Sequence, residues 1–322
     1  MNIRSIFGWA IFLVIVGMII HQLPSIPGRI YFIKGHRHYS SRQYQAAAQA
    51  FERAVKADQQ LVRAYVELGS SYRELKKPAE AEQAFKKALS IRNDSCAACG
   101  LGMVYHDTAR YEEAEKAFKK AISFDPTDYC AYEHSGRLYY NQRKYNETIE
   151  AFNQAIRLQP RDTSYHYLGN AYGHLARYDE ALDAYKHSIK INPNYEEVYP
   201  DLGAAYYRLH RYQDSAAAFE QAIKFKQDDA RAYLGMGLAQ LALGNKGKAL
   251  EQFRALQSLE PQWASWLLRE INKESSQPVF RNALRPGLRR QARSAQQASP
   301  AGAVTAQRGF GYSFSDFQIS LL

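Results

Sequence analysis

The sequence predicts an all-α chain, an α-solenoid of stacked antiparallel helix pairs. Three observations carry this. Glycines recur at Gly35, Gly69, Gly102, Gly136, Gly169, Gly203 and Gly237, spaced 33 or 34 residues apart. A large ring follows sixteen residues after each, at Phe51, Phe85, Phe118, Phe152, Tyr185, Phe219 and Phe253. Prolines punctuate the same period at Asp125-Pro126, Gln159-Pro160, Asn192-Pro193 and Glu260-Pro261. A fixed period of this length marks a repeat array, and apolar residues three, four and seven apart make each unit two amphipathic helices.

Within a unit, each position has a physical reason. A glycine inside a helix costs about 1 kcal/mol against alanine, so seven in register need a shared packing role. Close approach of the first helix to the second supplies one, with the small residues Ala47, Ala81, Ala114, Thr148, Ala181 and Ser215 expected opposite. Tyr72, Tyr105, Tyr139, Tyr172 and Tyr206 follow their glycines by three. The prolines end second helices, because proline disfavours helical geometry in the residue before it. Pro78 can open a second helix at its first position. Pro200 falls inside the first helix of the sixth unit and should delay its start or bend it.

The third unit reads Leu101-Gly102, Tyr105, Ala114, Phe118, Ala121 and Pro126. This resembles the tetratricopeptide repeat, with its W-x-x-L-G-x-x-Y, A-x-x-x-F and closing P. The resemblance implies a right-handed solenoid over residues 28–272. It places units at about 28–61, 62–94, 95–128, 129–161, 162–195, 196–229 and 230–263. Residues 264–272 then form a closing helix, since a terminal unit needs a partner for its outer face. The first unit departs from the pattern, with Lys34 and His38 where the family has apolar residues.

The ends differ from the body. No charge stands between Arg4 and Arg29. A helix over 3–23 would be about 31 Å long, one bilayer core, and residues 1–27 are therefore expected to be a single transmembrane helix. A cleaved signal peptide is the alternative. Arg29, Lys34, Arg37 and Arg42 follow the span closely, which places the solenoid on the cytoplasmic side of a single-pass membrane protein. Residues 273–322 read as a disordered basic tail, with Arg281, Arg285, Arg289, Arg290 and Arg293, and an apolar end at 310–322. Residues 1–61 and 273–322 each hold seven Lys/Arg against two Asp/Glu, while 62–272 hold 28 against 28. The basic flanks suit contact with anionic lipid. The neutral body argues against nucleic acid.

No phosphate-binding loop, dinucleotide fingerprint, H-E-x-x-H or G-x-S-x-G occurs, so neither enzyme activity nor a cofactor is expected. Cys96, Cys99 and Cys130 are the one constellation that suggests chemistry. Near His106 and His134 they offer an alternative function, a zinc or redox site.

The main expectation is a membrane-anchored scaffold that binds a protein or peptide partner. The resemblance implies that positions 2, 5, 6, 9, 12 and 13 of each first helix form the binding groove. Mapped onto this chain, these give Phe32, His36, Tyr39, Arg63, Arg73, Met103, His106, His134, Arg137, Tyr140, His166, Asn170, His174, Tyr207 and Arg208. Position 5 is never lysine, so the family's carboxylate clamp for chaperone tails is not expected.

Overall fold

The computed structural model describes residues 26–275 and divides the chain into two compact units, Met1–Gln159 and Pro160–Leu322. In the first unit α1 (Ile26–Ser40) pairs with α2 (Tyr44–Ala57), and α3 (Val62–Glu74) with α4 (Pro78–Ile91). There follow α5 (Ser95–Asp107) with α6 (Tyr111–Phe124), and α7 (Tyr129–Asn141) with α8 (Tyr145–Leu158). The second unit holds α9 (Asp162–His174) with α10 (Tyr178–Ile191), and α11 (Val198–Arg208) with α12 (Tyr212–Phe225). It ends with α13 (Ala230–Ala242), α14 (Lys246–Leu259) and a last helix, α15 (Pro261–Ser275). The described helices thus make seven hairpins and one further helix, roughly the count that the sequence period implies.

The glycine has a different partner from the expected one. It faces the ring sixteen residues on, not the small residue. A Cβ on Gly102 would stand 2.5 Å from a carbon of Phe118, and one on Gly136 would stand 2.7 Å from Phe152. Each of these rings is at most 1% exposed. The small residues Ala47, Ala81, Ala114 and Thr148 are fully buried as well, one helical turn before their rings. In the last hairpin the pattern shifts. A Cβ on Gly237 would stand 2.6 Å from a carbon of Leu267 of α15, and Phe253 is only partly buried.

Successive hairpins are latched by the recurrent tyrosine. The Tyr72 hydroxyl donates to Glu52 at 2.5 Å, Tyr105 to Glu82 at 3.2 Å and Tyr139 to Glu115 at 3.3 Å. Each carboxylate lies on the second helix of the preceding hairpin. A cation covers the same ring: Arg110 stands 4.2 Å from the Tyr105 centroid and also donates to Glu82 at 2.7 Å. In the second unit Arg177 covers Tyr172 at 4.6 Å and Arg211 covers Tyr206 at 4.5 Å. The latch therefore combines a charge-assisted hydrogen bond with a cation–π contact.

Within each hairpin the turn uses one left-handed residue: Arg42, Lys76, Ala109, Arg143, Ala176, His210 or Gly244. The next N–H then reaches back across the turn, as Arg110 to the Tyr105 carbonyl at 2.8 Å, closing the first helix. Six of the seven residues carry a Cβ, which costs about 1–2 kcal/mol each in this conformation. Pro200 delays its helix and does not bend it. At Val198–Arg208, α11 is 11 residues long against 13 for α9 and α13. Pro200 sits in its first turn, where no backbone N–H is needed.

The expected single-pass membrane localisation is corrected. Among the described residues no helix is long and apolar enough to cross a membrane. These helices have 11 to 15 residues, about 16–23 Å, short of a hydrocarbon core of about 30 Å. Each also turns one face onto a neighbour in the stack. Residues 3–23, which carried the expectation, lie outside the described residues, as do most of the basic tail and the apolar stretch 310–322. The placement of the helical body on the cytoplasmic side falls with the span.

Two stability predictions follow from the packing. Gly102→Ala should destabilise by about 1–3 kcal/mol, the usual cost of overpacking, while Gly247→Ala, where a Cβ meets nothing within 4 Å, should not destabilise. Urea unfolding monitored by circular dichroism compares the two. Ala109→Gly should stabilise by about 0.5–1 kcal/mol, because it removes the left-handed Cβ penalty at an exposed turn. A lower midpoint for that variant would contradict the turn analysis.

Candidate partner-binding face

In the first unit α1 packs on α3, α3 on α5, and α5 on α7, besides their own hairpin partners. Successive second helices make no contact of that extent, so the first helices line the inner side of the curve. In the second unit α9, α11 and α13 are related in the same way.

Across α3, α5 and α7 the inner face carries a continuous polar chain. Arg73 Nε donates to Asp107 Oδ2 at 2.7 Å. Asp107 Oδ1 lies 3.7 Å from His106 Nδ1, and His106 Nε2 lies 2.8 Å from Asn141 Nδ2. Burial alone would raise the Asp107 carboxyl, but His106 and Arg73 outweigh it and hold its pKa down to about 2. His134 lies flat on Phe118, with ring centroids 6.1 Å apart and an interplanar angle of 13°. Burial, then the charges of Arg137, Arg73 and His106, press its pKa down to about 4. Arg73 and His106 thus share the Asp107 carboxylate, and the charges of Arg137, Arg73, His106 and Asp107 all reach His134. Tyr140, on the same helix as His134 and Arg137, lies edge-on to Tyr145 at 5.9 Å.

Nearer the start of the chain the inner residues are more scattered. Phe32 packs on Phe51 at 5.8 Å and serves the core, with His36 stacked on its outer side at 6.4 Å. Tyr39 lies half-buried, its hydroxyl pKa raised by burial and then by Glu74 and Glu67. Arg63 is exposed. Glu67 faces His36 and Arg63, yet burial wins and raises its pKa. Met103 is half-buried against the core of the second and third hairpins.

The second unit treats its inner residues differently. His166 and Asn170 are buried, at 6% and 7% exposure, in a hydrogen-bonded network. His166 Nε2 meets Asp201 Oδ2 at 2.7 Å, its Nδ1 meets the Tyr195 hydroxyl at 3.1 Å, and Tyr185 donates to Asn170 at 2.7 Å. These groups bind one another. His174 is exposed, while Tyr207 lies edge-on to Tyr212 at 5.3 Å and Arg208 reaches over Tyr178 at 5.5 Å. Asp107, Asp201 and Glu67 were missed from the sequence although all three stand at inner-face positions. Selecting cations and aromatics passed over the acids that pair with them.

The cysteines do not assemble a metal site. Among the described residues no group of three or more His, Cys, Asp or Glu is placed to hold a metal ion. Cys99 is buried and Cys130 half-buried, and burial, then nearby aspartates, pushes the Cys96 and Cys99 thiols up. A protonated thiol is a poor ligand and a poor nucleophile.

The depressed His134 gives a prediction with a definite sign. Between its ordinary 6.5 and about 4, the unfolded chain binds a proton that the folded chain refuses. Stability should therefore fall as pH drops through that window. The melting temperature should decline less steeply in His134→Gln than in the wild type, and parallel declines would contradict the assignment.

Family models for the tetratricopeptide repeat match residues 28–61, 61–126, 131–162, 163–195 and 201–263. No curated protein matches the chain. Among solved structures, the PilF protein of Pseudomonas aeruginosa is 21% identical with a TM-score of 0.58, over 66% of this chain and 97% of that one. The C-terminal part of a TPR repeat-containing protein from Cytophaga hutchinsonii is 18% identical, with a TM-score of 0.58 over 71% and 95%. YrrB, described as a TPR protein with an unusual peptide-binding site, is 21% identical with a TM-score of 0.53 over 57% and 96%. At these identities the likeness is one of fold, while the matched models together span most of residues 28–263. The chain belongs to the tetratricopeptide repeat family.

Proposed function

We propose that the chain is a non-catalytic interaction scaffold, and that the inner face of α3, α5 and α7 seats an extended peptide or a partner's helix. The observation that carries this is that the charges of Arg73, His106 and Arg137, on three consecutive first helices, all reach His134, with Tyr140 three residues beyond Arg137 on the last of these helices. Arginine and tyrosine are the side chains most often found at binding hot spots. Fixed on helices, they lose little freedom when a partner arrives. YrrB, similar in fold, has a peptide-binding site by its description, which supports the class of function without naming the ligand.

The second unit contributes less to this reading, because His166 and Asn170 already satisfy each other and Asp201. Its candidate contacts are His174, Tyr207 and Arg208.

The test is affinity capture with the full chain, followed by calorimetry on the captured partner. Arg137→Ala with Tyr140→Ala should weaken binding by about 1–2 kcal/mol, roughly 5–30-fold, with unchanged circular dichroism. Equal affinity for the wild type and the double variant would place the site elsewhere.

A further inference from the structure

The outer face of α1 is a second exposed surface among the described residues of the first unit. Ile26, Ile30 and Ile33 are 75%, 59% and 62% exposed, the highest values among the exposed large apolar residues described. Their spacing of four and three puts them on one side of the helix. Lys34 and Arg37 are exposed on that side too. At 100° per residue, Arg37 projects between Ile33 and Ile30, and Lys34 projects just beyond Ile30.

The repeat shows what this surface is built to do. The residues equivalent to Ile30 in the next three hairpins are Ala64, Ala97 and Ala131, all fully buried. Those equivalent to Arg37 are Ser71, Val104 and Leu138, at most 1% exposed. In each case the preceding hairpin covers them, mainly through its second helix, as α2 covers α3. In α1 the same backbone surface has no hairpin before it among the described residues. It is a helix-accepting face.

Its composition selects the helix. A helix that offered no acid would bury Lys34 and Arg37 without partners, which is costly for any charge. An accepted helix must therefore offer carboxylates opposite these two and apolar side chains opposite the isoleucines. Residues 1–25 of this chain cannot, since Arg4 is their one charged side chain. A second α1 cannot, since Ile26–Ser40 holds no acid and would set like charges face to face. A lipid surface fits less well, because a lipid-facing stripe keeps its cations at the flanks and not between its apolar residues.

We propose that the outer face of α1 docks an acidic amphipathic helix of a partner protein, laid where a preceding repeat would pack. Ile30 and Ile33 supply the apolar contact, and Lys34 and Arg37 fix the register through ion pairs with the partner's carboxylates. This surface adjoins the inner face at Ile33, which stands at the position of Glu67 and His134, while Ile30, Lys34 and Arg37 stand at positions that the other hairpins bury against the hairpin before them.

A charge-reversal experiment on the full chain tests it. Two fluorescein-labelled 18-residue Leu/Ala helices serve as probes, one with Glu and one with Lys flanking the apolar stripe. At low salt the Glu helix should bind at least tenfold tighter than the Lys helix. Lys34→Glu with Arg37→Glu should reverse that preference, and Ile30→Asp should weaken both probes at least tenfold. All three positions are exposed, so melting curves should match the wild type. The proposal is overturned if neither probe binds or if the reversal leaves the preference unchanged. Binding to phosphatidylserine vesicles but not to the Glu helix would overturn it in favour of a lipid. Concentration-dependent self-association abolished by Ile30→Asp would overturn it in favour of a second copy.

Discussion

The contact on which the rest of the structure depends is a ring pressed against a bare helix backbone. At Gly102 and Phe118, and at the equivalent pairs, the absence of a Cβ lets the second helix settle against the first. A ring held there makes dozens of weak dispersion contacts, which a gap of even half an ångström would forfeit in part. Gly100 and Gly235 extend the same device between hairpins, each accepting the ring of the hairpin before it, Phe85 and Phe219. Spacing within and between hairpins is thus set by one kind of contact. Everything presented on the first helices inherits its position from that spacing, including Arg73, His134 and Arg137.

Much of this was legible in the sequence, because the signal repeats. One glycine in a helix is ambiguous, but seven in register with rings sixteen residues later are not. Pro200 was legible for the same reason, as a local breach of a known pattern. What could not be read was which atoms meet. The glycines were assigned to the small residues when the rings fill that space, and both choices satisfy the same spacing. The seventh hairpin departs further. Leu267, thirty residues after Gly237, takes the place that Phe253 would have filled, and no local pattern announces a contact at that separation.

The candidate binding face was legible in its positions and less so in its state. Positions alone offered His134 and His166, at positions 6 and 5 of consecutive first helices, as groove residues of the same kind. The structure separates them by their surroundings. His166 has a partner on each ring nitrogen within its own unit, Asp201 and Tyr195, and is consumed by them. His134 has an aromatic floor and cationic neighbours, so its ring stays neutral and its edge remains a polar group set among charges. Pairings between residues 34 or 35 apart, such as Arg73 with Asp107 or His166 with Asp201, arise because the repeat stacks like positions side by side. Acids at those positions therefore decide which cations remain for a partner, and a reading that gathers only cations and aromatics misses half of the arrangement.

A stack of repeats has interfaces of only two kinds, those between neighbours and those at its ends. Within each unit, a hairpin that follows another shows it in its sequence: small or apolar residues wherever the preceding hairpin packs. At the far end, α15 brings Leu267 and Ile271 over the last hairpin and closes it with residues that are nearly fully buried. On α1, the first helix described, the equivalent backbone carries Ile30, Lys34 and Arg37, where the later hairpins of the unit bury small or apolar residues. The sequence of the first hairpin looked like a degenerate copy of the family pattern when Lys34 was judged by the interior rule. Judged as an exposed face, the same departure fits the proposed docking: it sets two cations beside an apolar stripe, which a helix of opposite charge can satisfy.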